Sequence, residues 1–452
     1  MTRLRVATVV TRMQAGAGAV ALGGARALEP DAVEVTIVTG SGGRLLDEAA
    51  AAGLEVIVEP SLCSPIAPRD DARALCRLSA LFARRRFDVV HTHSAKAGVV
   101  GRMAASHTDV AKIVHTFHGF PFHEFQSRVR REAYAQIERR LGQITDTALC
   151  VGTAVSVEAV RRGLIRPERV RTIGVPIDTG AVIRSPQTRD HARRALGLPN
   201  TALVVGMVGR MSYQKAPEDF ITALELMRRL NVIGIWVGGG ELAEQLQEQI
   251  RRALPRVRIV LAGERADVPR LLPAFDVFAL PSRYEGLPVA IVEAMICGIP
   301  VVATAVNSVP DVVRPGETGL LVPPQRPDLL ADALGHLLDR PEEAARMAAA
   351  ARAQIDDRYS AQALADTLLD VYTAAPNRGT RQARRGNFRR GFARLCAMCI
   401  VCSNRKGWPP QRHPFSSRFM LARLIPPNFI ESGRRWLLQW VTEMDHRTQG
   451  TS

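Results

Sequence analysis

The sequence predicts an α/β protein with two Rossmann-like parallel-sheet domains facing across a cleft, followed by a basic extension. Three observations carry this expectation. Short apolar, β-branched runs alternate with helical stretches as far as residue 374, the pattern of doubly wound sheets. The alternation falls into two blocks joined near "TIGVPIDTGAVIRSPQTRD". A chain of 452 residues is also too long for one ordinary core.

In the first block, "LRVATVV" reads as a strand leading into a Gly/Ala-rich turn and helix, followed by the strands "VEVTIVTG" and "LEVIVEP". The helix "DARALCRLSALFARRR" precedes the strand "FDVVHTHS", and "AKIVHTFHG" is another. In the second block "ALVVGMVGR" is a strand, "PEDFITALELMRRL" a helix, and "VIGIWVGGG" and "VRIVLAG" are strands. "FDVFALP", a helix through "VAIVEAMIC" and the strand "IPVVAT" complete the pattern, and the helix "SAQALADTLLDVY" closes the body. The expected divisions are residues 1–178, 179–375 and 376–452. The last is Arg-rich, acid-poor and broken by Pro-Pro pairs, so it is expected to be partly disordered. A chain cut near Ala375 is accordingly expected to keep its melting temperature.

Composition narrows the class. Hydrophobic residues make up 46%, and no run approaches the ~18 apolar residues of a membrane-spanning helix. The opening "MTRLRVATVVTRMQ" breaks at Thr11 and Arg12, too soon for a signal peptide, which predicts a cytoplasmic protein. Seven cysteines, an odd number and mostly scattered, do not make a disulfide framework. "CAMCIVC" holds Cys396, Cys399 and Cys402 among apolar residues without a further ligand group, so no metal is expected there. Of the net charge of +16, residues 376–452 supply +12. Few aromatic residues accompany that charge, and no nucleic-acid fold is recognised, which makes nucleic-acid binding the weaker use of the tail.

The chemistry concentrates in two loops. In "SRYEGLPVAIVEAM" Glu285 follows a strand, and Glu293 lies early in a helix that Pro288 opens and Gly298 ends. Ionised carboxylates accept hydrogen bonds and repel phosphate, so the pair suits sugar hydroxyls. In "VVGMVGRMSYQKAPEDF" Gly209 permits a tight turn, Arg210 and Lys215 are five apart, and Pro217 opens a helix. Cations beside a helix N-terminus can hold a diphosphate and stabilise it as a leaving group. Alone, that Arg/Lys pair reads as two solvated surface charges. Beside the glutamate pair it completes a sugar-nucleotide site.

These motifs in this order, over residues 3–374, resemble glycosyltransferase family 4, the retaining enzymes of the GT-B fold. Glu285 and Glu293 meet the family's E-x7-E pattern. The resemblance implies that Glu285 binds the donor sugar, Glu293 the ribose, and Arg210 and Lys215 the diphosphate. The backbone of Gly286 and Leu287 would touch sugar and phosphate, and Glu264 and Arg265 would lie near the base. "TRMQAGAGAVAL" is similar to the family's glycine loop: Gly16 matches the first glycine, while Ala17 replaces the second. "VHTFHGFPFH" places His118 at the family's active-site histidine, facing the transferred sugar. The implied donor is a nucleoside-diphosphate sugar, UDP-linked in the first instance, with a glycan or lipid-linked acceptor of cell-surface polysaccharide or glycolipid synthesis. The implied activity is hexosyl or N-acetylhexosaminyl transfer with no metal or other cofactor.

Other readings of the same residues exist. Five histidines (His91, His93, His115, His118 and His123) cluster, but their spacing matches no standard zinc motif. Paired carboxylates also serve glycoside hydrolysis, which leaves the Arg/Lys loop unexplained. A sugar-nucleotide 2-epimerase of similar architecture is the nearer alternative. The stretch "QSRVRREAYAQIERRLGQ" reads as a helix whose arginines, from Arg128 to Arg140, either face solvent or, with the basic tail, meet an anionic membrane at the inner face of the cell membrane.

Overall fold

The computed structural model describes residues 3–14, 16–63, 66–177, 183–227, 229, 231–253 and 257–384. The extension beyond 384, with Cys396, Cys399 and Cys402, lies outside the described residues.

The first domain is built on β1 (Leu4–Arg12), β2 (Val33–Ser41), β3 (Glu55–Val58), β4 (Val89–His93), β5 (Lys112–Phe117), β6 (Thr147–Cys150) and β7 (Val170–Thr172). They form one parallel sheet in the order β3-β2-β1-β4-β5-β6-β7. The second domain holds β8 (Leu203–Val208), β9 (Val232–Val237), β10 (Arg258–Leu261), β11 (Val277–Leu280), β12 (Val301–Thr304) and β13 (Leu320–Val322). Its parallel order is β10-β9-β8-β11-β12-β13. Helices cover both faces of the first sheet, which is why apolar residues of β1 point to both faces rather than alternating with polar ones. Along β1, Val6 and Val10 enter one core layer, while Ala7 and Val9 enter the other.

The strands β6, β7 and β13 are absent from the sequence-based pattern. β7 and β13 have three residues each, too few to establish a period, and β6 has four of which only Thr147 is β-branched. Pro288 also takes the N-cap position, one residue earlier than expected, ahead of the helix Val289–Cys297. Gly298 ends that helix at φ 84°, where glycine carries no Cβ penalty.

The closing helix, Ala361–Thr373, comes from the end of the second block yet packs on the first domain. Leu364, Leu368 and Tyr372 join the core layer of Val6 and Val10. A Cβ on Gly24, in the helix Ala17–Ala27, would lie 2.9 Å from Leu368 Cδ1. The two chain crossings between domains touch each other. Ile177 N–H donates to the Tyr359 carbonyl at 2.9 Å, and a Cβ on Gly174 would sit 1.8 Å from the Arg358 carbonyl oxygen.

The packed body continues past residue 375. In the short helix Arg378–Ala383 and its flanks, Asn377 N–H and Thr380 Oγ1 donate to Asp146 Oδ1, and the Arg384 guanidinium meets Asp146 Oδ2. Asp146 is buried, and its Oδ2 also accepts from Ile113 N–H at 2.8 Å. The boundary expected at residue 375 therefore moves to at least 384, because this segment is held by polar groups and has no apolar period to signal it. A chain ending at Ala375 should be about 2–4 kcal/mol less stable than one ending at Arg384, since it strips partners from a buried carboxylate. Thermal melting of the two chains checks this. Equal melting temperatures would show that the segment contributes nothing.

Candidate active site

In open α/β sheets, ligands bind beyond the carboxyl ends of the strands where strand order reverses. Here those points are β1/β4 and β8/β11. Most of the site residues expected from sequence leave from these strands. Gly16 follows β1, His118 follows β5 beside β4, Arg210 and Lys215 follow β8, and Glu285 follows β11.

The loop after β8 turns at Gly209 and returns through Lys215 into the helix Pro217–Leu226. A Cβ on Gly209 would lie 3.4 Å from Lys215 Cε, so the lysine stem runs back along the turn. Lys215 Nζ donates to Glu285 Oε1 at 2.5 Å, and both side chains are largely buried. Ser282 Oγ donates to the same oxygen at 2.6 Å, Gln214 Nε2 reaches Oε2 at 3.3 Å, and Glu285 N–H donates to Asn307 Oδ1 at 2.8 Å. A lysine ammonium has three donors, so one pairing with Glu285 leaves it further capacity. Arg210 is exposed, and its Nη1 is 3.9 Å from Glu241 Oε2. An ion pair that open to solvent contributes little and leaves the guanidinium available.

Glu293 stands apart from this network. No hydrogen bond to its carboxylate occurs among the described residues, and burial raises its carboxyl above the usual range. Glu293 is partly buried, and a carboxyl group there without a protein donor is suited to receive hydroxyl groups from a ligand.

Glu264 and Arg265 follow β10, with Glu264 exposed and Arg265 forked onto Asp267 at 2.7 and 2.8 Å. They border a loop that the sequence reading passed over, Gly238–Gly240 after β9. A Cβ on Gly238 would lie 2.1 Å from the Gly209 carbonyl oxygen, and one on Gly240 would lie 2.3 Å from that of Met211. Gly240 also has φ 151°. The glycine triplet behind a buried strand was the signal available for it. Gln214, Ser282 and Asn307, the residues that hold Glu285, left no such signal.

On the facing side, Gly16 has φ 68° and caps the helix Ala17–Ala27, with no protein atom near its missing Cβ. Gly18 lies against β1: a Cβ there would sit 2.7 Å from the Arg12 carbonyl oxygen. His118 is partly buried, and burial lowers its pKa to about 4, which keeps the imidazole neutral at neutral pH. His91 Nδ1 and Nε2 each have a partner at 2.7 Å, Tyr372 Oη and Thr116 Oγ1, while His115 Nδ1 pairs with Thr92 Oγ1 at 2.8 Å. Among the described residues, no group of three or more His, Cys, Asp or Glu is arranged to hold a metal.

The two sides meet at Gly286. A Cβ there would lie 1.8 Å from the His118 carbonyl oxygen, and Gly119, at φ 133°, lies against the Gly286 backbone. Leu287 packs against the cores of both domains. His123 stacks on Tyr284 with centroids 4.2 Å apart, and Asp311 Oδ2 accepts from Thr153 N–H and Ala154 N–H at 2.7 and 3.1 Å. The structure thus brings Lys215, Glu285, Gly286, Leu287 and His118 to one seam.

Two parallel-sheet domains with this crevice define a glycosyltransferase of the GT-B class. The family models "Glycosyltransferase Family 4" and "Glycosyl transferases group 1" match residues 15–181 and 188–354. The chain belongs to glycosyltransferase family 4. It is 31% identical over 285 residues to the UDP-Gal:alpha-D-GlcNAc-diphosphoundecaprenol alpha-1,3-galactosyltransferase of Escherichia coli, covering 62% of this chain and 74% of that one. It is 30% identical to the D-inositol 3-phosphate glycosyltransferase of Thermobispora bispora, covering 78% and 88% respectively. Among solved structures, Anabaena HepE in complex with UDP and glucose matches with a TM-score of 0.71 at 22% identity. That match covers 82% of this chain and 99% of the other, and it shows a shared fold.

Proposed function

We propose that this enzyme transfers a hexosyl or N-acetylhexosaminyl group from a UDP-sugar to a glycan or lipid-linked acceptor, with retention of configuration and without a metal. One observation carries the reading: the largely buried Lys215–Glu285 pair lies beside Gly286, whose backbone meets the His118 carbonyl across the seam. The carboxylate that would accept from sugar hydroxyls is tied to the cation that would receive the diphosphate. The E. coli galactosyltransferase, which by its name uses a UDP-sugar and a diphosphoundecaprenol acceptor, supports both substrate classes.

In this reading Glu293 takes the ribose hydroxyls and Glu285 the sugar hydroxyls. The backbone of Gly286 and Leu287 lies along sugar and phosphate, and Gly16 offers its N–H to phosphate. Glu264 and Arg265 border the base. The bond from the anomeric carbon to the diphosphate oxygen breaks with its electron pair leaving on the diphosphate. Lys215, Arg210 and the start of the helix Pro217–Leu226 stabilise that charge. The acceptor oxygen bonds to the same face, and its proton passes to the departing phosphate oxygen.

The acceptor chemistry also bears on the surface. Among the described residues no helix is long and apolar enough to cross a membrane. The helix Arg128–Gly142 exposes Arg128, Arg130 and Arg140 together with Val129 and Ile137, a basic surface with apolar points. It suits apposition to anionic lipid, with up to ~1 kcal/mol from each cation near the surface. Localisation would then be peripheral, on the cytoplasmic side, in cell-surface polysaccharide or glycolipid synthesis.

In assays held free of divalent metal by EDTA, Glu285→Gln should lower transfer about a hundredfold with UDP affinity within about twofold, since it removes a contact to the sugar. Glu293→Ala should weaken UDP binding about tenfold, by loss of the hydrogen bonds its carboxyl group accepts in this reading. Parental behaviour in both variants would refute the site assignment. A strict requirement for added magnesium or manganese would refute metal independence, and a new sugar nucleotide made without acceptor would indicate an epimerase. Charge reversal of Arg128, Arg130 and Arg140 to Glu should reduce co-sedimentation with phosphatidylglycerol vesicles at 0.1 M salt. Unchanged sedimentation would remove this helix as the docking face.

A further inference from the structure

Behind His118 stands a second histidine that the site assignment does not use. His93 is the last residue of β4 and pairs in register with Thr116 of the neighbouring β5, two residues before His118. Its Nδ1 lies 3.0 Å from His118 Nε2, with ring centroids 5.2 Å apart. On the other side the His93 ring lies 4.2 Å, centroid to centroid, from His91. His91 is anchored at both nitrogens, one of them by Tyr372 of the closing helix. His93 itself is only 3% exposed. The row therefore runs from the closing helix, through the strand ends, to the seam.

We propose that His93 is a positioning residue: its Nδ1 holds His118 Nε2 so that His118 meets the donor sugar in one ring orientation, with its tautomer tied to that of His93. This rests on the reading that His118 faces the donor. The reason is proton counting. A neutral imidazole has one donor nitrogen and one acceptor nitrogen, and only one proton can lie between the facing pair. If it belongs to His93 Nδ1, His118 must carry its own on Nδ1. If it belongs to His118 Nε2, then His118 Nδ1 is an acceptor. Burial keeps both rings neutral at neutral pH, so the coupling is not dissolved by protonation. No hydrogen bond to His118 Nδ1 occurs among the described residues, so this nitrogen is free to meet a substrate hydroxyl. Both nitrogens of His91 are occupied, which makes the row a support rather than a set of metal ligands.

The test compares His93→Phe, which fills the ring space without the hydrogen bond, with His93→Asn, whose amide reaches the position of Nδ1. His118→Ala serves as reference. Donor KM, kcat and melting temperature are measured on the full chain, with the 15N resonances of His118 in histidine-labelled protein. The parent should show His118 with a hydrogen-bonded Nε2 rather than the resonances of a solvent-averaged ring. His93→Phe should shift those resonances toward an averaged mixture and lower kcat about ten- to a hundredfold, with donor KM within about twofold. His93→Asn should restore most of both. If His93→Phe fails to fold, His93→Ala supplies the same comparison. An unchanged His118 tautomer balance, read from the wide 15N separation between protonated and unprotonated ring nitrogens, would overturn the proposal, whether or not kcat falls. Parental transfer by His118→Ala would instead refute the reading of His118 as a donor contact, and the resonances would still decide the role of His93.

Discussion

The site depends on one close backbone approach, that of Gly286 to the His118 carbonyl. No side chain fits between them: a Cβ on Gly286 would lie 1.8 Å from that oxygen. The same short loop carries Glu285 on one side and Leu287 on the other, and Leu287 is shared by the cores of both domains. Closing the two sheets against each other therefore also sets the distance between the histidine row and the glutamate. The adjoining contacts, His123 on Tyr284 and Asp311 on the start of the helix Thr153–Arg161, reinforce the same closed arrangement.

Each half contributes pre-set groups to that seam. In the second domain, Ser282, Gln214 and Lys215 all hold the Glu285 side chain, so the carboxylate does not have to be ordered when substrate arrives. In the first domain, the closing helix supports His91 through Tyr372 and so carries structure from the end of the body to the seam. That helix explains why the domains cannot be separated at a single chain crossing. Its packing, the paired crossings at Gly174 and Ile177, and the docking of residues 377–384 tie the end of the body to the first domain.

Much of this was legible in the sequence, for reasons that differ by feature. Ten strands were visible as apolar, mostly β-branched runs between helical stretches. β7 and β13 have only three residues, and β6 has a single β-branched residue, Thr147. Glu285 and Glu293 were recognisable from spacing, with Pro288 and Gly298 marking the helix that carries Glu293. The pairing of Lys215 with Glu285 was not, since it joins residues 70 apart in sequence and depends on β8 and β11 becoming neighbours. His93 was visible only as one of several clustered histidines; its contact with His118 follows from the register of β4 and β5. The segment 377–384 looked like the start of a featureless basic tail because its hold on Asp146 is polar, and polar contacts leave no periodicity.

The claim that the seam at Gly286 assembles the site is tested most directly by Gly286→Ala, with UDP affinity and sugar transfer measured side by side. The added methyl would collide with backbone and could be accommodated only by parting the domains. The account predicts that transfer falls by about a hundredfold or more, while UDP affinity, which the proposed site assigns largely to the second domain, changes by less than about threefold. Transfer near the parental rate would contradict it, because the site would then work without that approach.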